Sequence, residues 1–354
     1  MRLVVFGLSL SSSWGNGHAT TYRSLLRAFA ARGHDVTFFE WDAPWYQGPN
    51  RDLTDPEFAE LAIYTEWSAV RHSALAAARA ADATIVGSYV HEGPRIVDDL
   101  VEAGVRPLLF YDIDTPVTVA ALRNGGAEYL RIDQIPRFDR YLSFSGGDFL
   151  RVVVEGELGA RSAVPLYCSV DPASYREGDA DPEFVADLAY MGTYAPDRQP
   201  VIERFLLDVA ARLPVRSFIV AGPQYPDSIR WPDNVRWIPH VPPDRHRAFY
   251  SSARWQLNAT RADMVAAGWS PSVRLFEAGA AGAAVISDHW PGIDQLFEPG
   301  WEIMLPRSTD EVADIISDTP DGERRRMGEA LRALIMERHT ADRRAEELEN
   351  YLTF

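Results

Sequence analysis

Short apolar runs alternate with longer segments of helical spacing along the chain. Leu3–Gly7 is a continuous apolar run, the pattern of a strand covered on both faces. In Ala19–Arg32, Leu25, Leu26 and Phe29 recur at helical spacing, and Gly33 closes the helix. Asp35–Glu40 predicts a second strand, Glu57–Ala80 a long helix and Ala83–Gly87 a third strand. Arg95–Ala103 follows as a helix, with Arg106–Tyr111 and Arg140–Phe144 as further strands. The polar segment Tyr167–Asp181, with Pro172 and Gly178, reads as a linker. The alternation then restarts. Phe184–Met191, Ser217–Ala221, Asn234–Ile238, Trp255–Asn258, Ala284–Ser287 and Glu302–Leu305 predict strands. Arg198–Leu213 and Ser272–Ala281 predict helices, and three helical stretches close the chain, the last over 340–351. Repeated βα units of this length imply parallel sheets with helices on both faces, in two doubly wound α/β domains facing a cleft.

Composition sharpens this picture. The 354 residues carry a net charge of -16, which disfavours broad binding to nucleic acid or anionic lipid. All 35 basic residues are Arg, which excludes a Schiff-base lysine and the lysine of a phosphate-binding loop. Cys168 is the single cysteine, so disulfide frameworks and cysteine-based metal clusters are excluded. No run approaches the ~20 apolar residues of a membrane-spanning helix. The apolar start leads directly into a helix pattern and reads as a first strand rather than a signal peptide, which fits a cytoplasmic protein.

Four stretches carry candidate chemistry. Gly15, Asn16, Gly17 and His18 lie between the first strand and first helix. Glycines there admit a ligand to the backbone, and His18 can act as a base; the plain alternative is a turn with a capping histidine. Asp112 and Asp114 follow the fourth strand and can serve as base, sugar ligand or cation ligand, or Asp114 can simply cap the helix beginning near Pro116. Gly192, Thr193 and Arg198 lie where a strand meets its helix, a position suited to phosphate. Ser270 or Ser272 caps a helix on which Arg274 and Glu277 share a face. Those two can form a surface ion pair, or Glu277 can accept the two hydroxyls of a ribose. Gly292, after a strand, can present backbone N–H groups to a ligand. Trp41, Trp45 and Tyr46 suit either stacking on a sugar or apolar aglycone, or a place in the core.

Gly33–Arg51, Asp112–Thr118 (DIDTPVT), Leu166–Asp171 (LYCSVD) and Ser272–Leu305 together resemble a GT-B glycosyltransferase, most closely the spore-maturation CgeB-like branch of the family-1-type enzymes. The resemblance implies an acceptor-binding Rossmann-like domain over 1–170, a nucleotide-sugar domain over 171–338, and a C-terminal helix over 339–354 crossing back to the first. By similarity Glu277 holds the nucleotide ribose, Gly192, Thr193 and Arg198 face the diphosphate, and Gly292 and Ile293 face the donor sugar. Many retaining relatives carry a second glutamate eight residues earlier; here that position is Trp269. The resulting expectation is hexosyl transfer from a nucleotide-diphosphate sugar to a small-molecule, glycan or other acceptor. No cofactor or metal is expected, with His18 as first candidate base and Asp114 or Asp112 as second. The alternatives are a nucleotide-sugar epimerase or hydrolase on the same fold, or a non-catalytic nucleotide-sugar-binding protein.

Overall fold

Two parallel sheets form in the computed structural model, which describes residues 1–14 and 17–353. The chain divides into two units. One comprises Met1–Ser169 together with the segment from Ala341; the other is Val170–Thr340.

The first unit carries β1 (Arg2–Gly7), β2 (Asp35–Trp41), β3 (Glu60–Tyr64), β4 (Ala83–Gly87), β5 (Leu108–Asp112), β6 (Arg140–Ser143) and β7 (Ala163–Pro165). Their spatial order is β3-β2-β1-β4-β5-β6-β7, all parallel. Strand alternation builds two cores from one sheet. Val4 and Phe6 face the core that includes Trp67, Ile96 and Leu100, residues of the helices α2 (Trp67–Ala80) and α3 (Gly93–Glu102). Leu3 and Val5 face the other, with Leu25 and Phe29 of α1 (His18–Ala31) and Ala345 and Leu348 of the terminal helix Ala341–Tyr351. That helix is also tied by Glu349, which pairs with Arg32 and, at 3.2 Å, with His34.

The second unit carries β8 (Leu188–Met191), β9 (Phe218–Ala221), β10 (Val235–Ile238), β11 (Trp255–Asn258) and β12 (Ala284–Ser287), in the order β10-β9-β8-β11-β12. Strand order reverses at β1/β4 in the first sheet and at β8/β11 in the second. In open α/β sheets ligands bind outside the carboxyl ends of the strands at such points. Among the described residues no helix is long and apolar enough to cross a membrane.

Three expected elements differ. The long helix over Glu57–Ala80 is instead β3 followed by α2. β3 is an edge strand with an exposed Glu60 and only Tyr64 fully buried, so it lacks the continuous apolar run of its neighbours. Over Glu302–Leu305 there are two isolated bridges, Ile286 with Met304 and Pro299 with Ile303, and no extended strand. Phe184–Met191 narrows to β8, because Pro182–Phe184 forms a short 3-10 turn capped by Asp181.

Candidate functional sites at the two sheet switch points

In the first unit, β1 and β4 deliver their loops to the same place. The loop after β1 is held by Glu40, the buried penultimate residue of β2. Its carboxylate accepts the Leu10 and Ser11 N–H groups at 2.6 and 2.8 Å and the Ser9 hydroxyl at 3.2 Å. Gly15 lies outside the described residues. Gly17 stands at the N-cap of α1 with right-handed helical dihedrals, and an added Cβ there would meet open space, so neither packing nor conformation demands glycine.

His18 begins α1 with its side chain 10% exposed. Its Nε2 lies 3.6 Å from Asp114 Oδ2, while Nδ1 is buried with no hydrogen-bond partner. The ring meets Tyr89 edge-on at 5.1 Å. Tyr89 follows β4 with a φ of 63°, a conformation costly for a bulky residue, and its hydroxyl reaches Asp114. Two of the residues singled out in sequence thus meet. Asp114 sits at the N-cap of α4 (Thr115–Arg123), yet its side chain makes no capping bond and remains 41% exposed. A carboxylate 3.6 Å from the ring stabilises the charge the imidazole gains when it takes up a proton, which suits a general base. Tyr89 carried no sequence signal; its positive φ appears only in the fold.

Asp112 is a correction. It has no solvent exposure and cannot reach an acceptor or a sugar. Its carboxylate accepts hydrogen bonds from the Tyr141 hydroxyl, from Thr118 Oγ1 at 2.8 Å and from the Asp114 N–H at 3.2 Å, which orders the loop that presents Asp114. Burial pushes its acidity from an ordinary 3.8 to about 6 against those bonds. The folded state therefore holds the proton more tightly than the unfolded chain. The stability this confers is complete below the unfolded value and is lost as pH rises through about 6. Between pH 5 and 7 the wild type is expected to lose about 1 kcal/mol from this group, and Asp112→Asn to lack that loss. Urea unfolding of both proteins at the two pH values measures the difference; parallel pH profiles would remove the assignment.

In the second unit the switch point is bridged by Arg274, on the helix Val273–Ala280. Its Nε donates to the Met191 carbonyl at the end of β8 (2.7 Å) and its Nη1 to Asn258 Oδ1 at the end of β11 (2.9 Å). The guanidinium also lies over the Tyr190 ring at 4.7 Å. Arg274, expected to touch substrate or pair with Glu277, is buried and braces two strand ends. The glycine at 192 follows from this brace, since an added Cβ would collide with Tyr190 and Arg274. Gly222, unmarked in sequence, completes it: its φ is 141° and a Cβ would strike the Gly192 carbonyl.

Thr193 is exposed, and its carbonyl accepts from Arg198 Nη2 at 2.7 Å. Arg198 precedes the helix beginning at Gln199, half-buried, with its Nε unpaired. Burial and the positive fields of Arg274 and Arg261 lower its pKa. Arg261 is paired with Asp197 at 3.3 Å, so Arg198 and the braced Arg274 are the cationic groups beside which an anion lowers the energy.

Glu277 is half-buried on the same helix as Arg274. Its carboxylate accepts from the Tyr250 hydroxyl at 3.0 Å and from Tyr175. Burial, the largest influence, raises its pKa although the tyrosines oppose this. Two donors leave room on a carboxylate that offers about four acceptor positions. Ser272 occupies the N-cap but gives its hydroxyl to Asn258 Oδ1 at 2.8 Å, so the expected side-chain cap is absent. Ser270 is buried, its hydroxyl bonded to the Gly268 carbonyl at 2.9 Å.

Gly292 has a φ of 88°, and a Cβ there would enter the indole of Trp269. Ile293, expected to offer its N–H to a donor sugar, bonds that group to the Trp290 carbonyl at 3.2 Å, and its side chain is buried in the core. Among the described residues no group of three or more His, Cys, Asp or Glu side chains is placed to hold a metal ion.

Residues 198–350 match a family described as glycosyl transferase-like. In structure the chain is similar to sucrose-phosphate synthase from Thermosynechococcus elongatus, with a TM-score of 0.67 and 12% identity over 99% of this chain and 98% of that one. It is likewise similar to Anabaena HepE in complex with UDP-glucose, with a TM-score of 0.67 and 15% identity over 100% and 99% of the two chains. An alpha-glucosyltransferase in complex with UDP gives a TM-score of 0.66 and 13% identity, covering 100% of each chain. No protein of curated function matches in sequence. At these identities the likeness establishes the fold, which is GT-B.

Proposed function

We propose that this protein is a cytoplasmic, CgeB-like glycosyltransferase that moves a hexose from a uridine-diphosphate sugar to an acceptor hydroxyl without a metal ion. The observation that carries the reading is the cationic end of the second sheet. Arg274 is locked across β8 and β11, and the half-buried Arg198 has an unpaired Nε. The acidic Glu277 side chain retains acceptor capacity on the same helix as Arg274. This set suits a ribose linked to a diphosphate. The match of residues 198–350 and the UDP and UDP-glucose held by structural relatives support it.

In this reading the first unit supplies the base and the second unit the nucleotide site. As the acceptor oxygen bonds to the anomeric carbon, its proton passes to the His18 imidazole, whose resulting charge Asp114 stabilises. The bond from that carbon to the β-phosphate oxygen breaks, and UDP leaves with the electron pair. Preorganised cations at Arg198 and Arg274 stabilise the charge that develops on it.

UDP is expected to raise the unfolding temperature, because a ligand that binds only the native state stabilises it. UDP release from UDP-glucose is expected to require an acceptor and to persist in excess EDTA. Turnover of UDP-glucose alone would favour the epimerase or hydrolase reading; UDP binding with no turnover on any acceptor would favour a binding protein. Activity abolished by EDTA and restored by Mg²⁺ would overturn the metal-free mechanism.

A further inference from the structure

The first unit exposes tryptophans on the segments that follow β1 and β2. Trp45 is 51% exposed and Trp14 57% exposed. Trp45 meets Trp41 edge-on at 5.5 Å, and Trp41 is stacked on His91 at 3.9 Å with the planes 19° apart. Tyr46, from the same segment, is buried and anchors it. Trp14 stands on the adjoining loop, which is joined to this one through Ser12: its hydroxyl donates to the Asn50 carbonyl at 2.6 Å, and Asn50 Nδ2 donates to the Trp45 carbonyl at 2.9 Å.

One loop connects this aromatic surface to the proposed base: His91, stacked on Trp41, is two residues after Tyr89, whose ring meets His18 edge-on. Among the described residues, charged groups of the neighbouring segments pair with one another. Arg23 forms a bidentate pair with Asp52, which also takes the Ser13 N–H at 3.0 Å and hydroxyl at 2.9 Å. Arg51 pairs with Asp42, and Arg95 with Glu92 at 2.8 Å. A phosphorylated ligand would meet cations already neutralised. A hydroxyl-rich carbohydrate would give up hydration and, among the described charged groups, meet ones already paired with one another. A flat, neutral ring system loses little water and gains stacking.

We infer that the exposed Trp45–Trp41–His91 surface is the acceptor site and that it takes a neutral, planar aromatic compound bearing a hydroxyl. Naming the ligand an acceptor rests on the transferase reading; the binding chemistry does not.

The test is calorimetric titration with three probes: 2-naphthol, maltose and glucose 6-phosphate. The wild type is expected to bind 2-naphthol at least fivefold more tightly than either sugar. Trp45→Ala is expected to weaken 2-naphthol at least fivefold, and Trp45→Phe to restore it to within about twofold. Trp301→Ala, which removes an exposed tryptophan of the second unit, is the control and is expected to change nothing. Equal 2-naphthol affinity in Trp45→Ala, an equal loss in Trp301→Ala, or Trp45-dependent binding of either sugar in place of 2-naphthol would overturn the inference. UDP titrated into the same proteins separates the two claims. Absent UDP binding with Trp45-dependent naphthol binding sinks the transferase and leaves the aromatic site; the converse sinks the aromatic site alone.

Discussion

His18→Ala is expected to lower kcat by about 10²–10⁴-fold, the usual contribution of a positioned general base. UDP affinity should stay within a few-fold, because the groups assigned to the nucleotide all belong to the second unit. The Asp114 side chain is 41% exposed, so Asp114→Ala should fold normally and lose less than His18→Ala, its role being to hold and stabilise the ring. Groups acting as one unit are not additive, so the double variant should be no worse than His18→Ala alone. Steady-state kinetics of the three variants, with UDP titration of each, provides the check. A kcat within threefold of wild type for His18→Ala would remove the base from this position.

Removing the Glu277 carboxylate is the second large effect. A charged acceptor contributes about 1.5–3 kcal/mol per hydrogen bond, roughly ten- to a hundredfold in affinity. Glu277→Ala should therefore weaken UDP at least tenfold. The truncation also deprives the Tyr250 and Tyr175 hydroxyls of their acceptor and should cost about 1–3 kcal/mol of stability. Glu277→Gln separates these effects: it retains a carbonyl acceptor and the side-chain shape while removing the charge. If the carboxylate binds the ribose, wild type should prefer UDP to 2′-deoxy-UDP and Glu277→Gln should lose much of that preference. Because burial raises the pKa of Glu277, wild-type affinity should begin to fall on acidification above the ordinary carboxylate range. Calorimetry across pH tests all of this; equal UDP affinity in wild type and both variants would return Glu277 to a structural role.

The sequence revealed whatever depends on local periodicity. Central strands such as β1 and β4 are buried on both faces and read as unbroken apolar runs. The edge strand β3 did not, since its half-covered pattern merges with the helix that follows. Site residues were legible by type and place but not by direction. Arg274 and Glu277 share a helix face in sequence; only the fold shows one turned to the ends of β8 and β11 and the other to Tyr250. Asp112 and Asp114 look equivalent two residues apart, yet one is sealed beneath Tyr141 and Thr118 while the other reaches His18. Gly222 and Tyr89 owe their importance to contacts formed by distant segments, which no local pattern records.

The return of the terminal helix to the first unit has a consequence for biosynthesis. The second unit is an insert in the first: Val170 donates to the His339 carbonyl at 3.0 Å and bridges Thr340, so the insert enters and leaves the chain at neighbouring points. On the ribosome, the second unit is complete before the first has received its last piece. At about 5–20 residues per second, Ala341 emerges roughly 10–35 s after Ser169. For that interval the face of α1 bearing Leu25 and Phe29 lacks the cover of Ala345 and Leu348, leaving a nascent hydrophobic surface that chaperones can recognise.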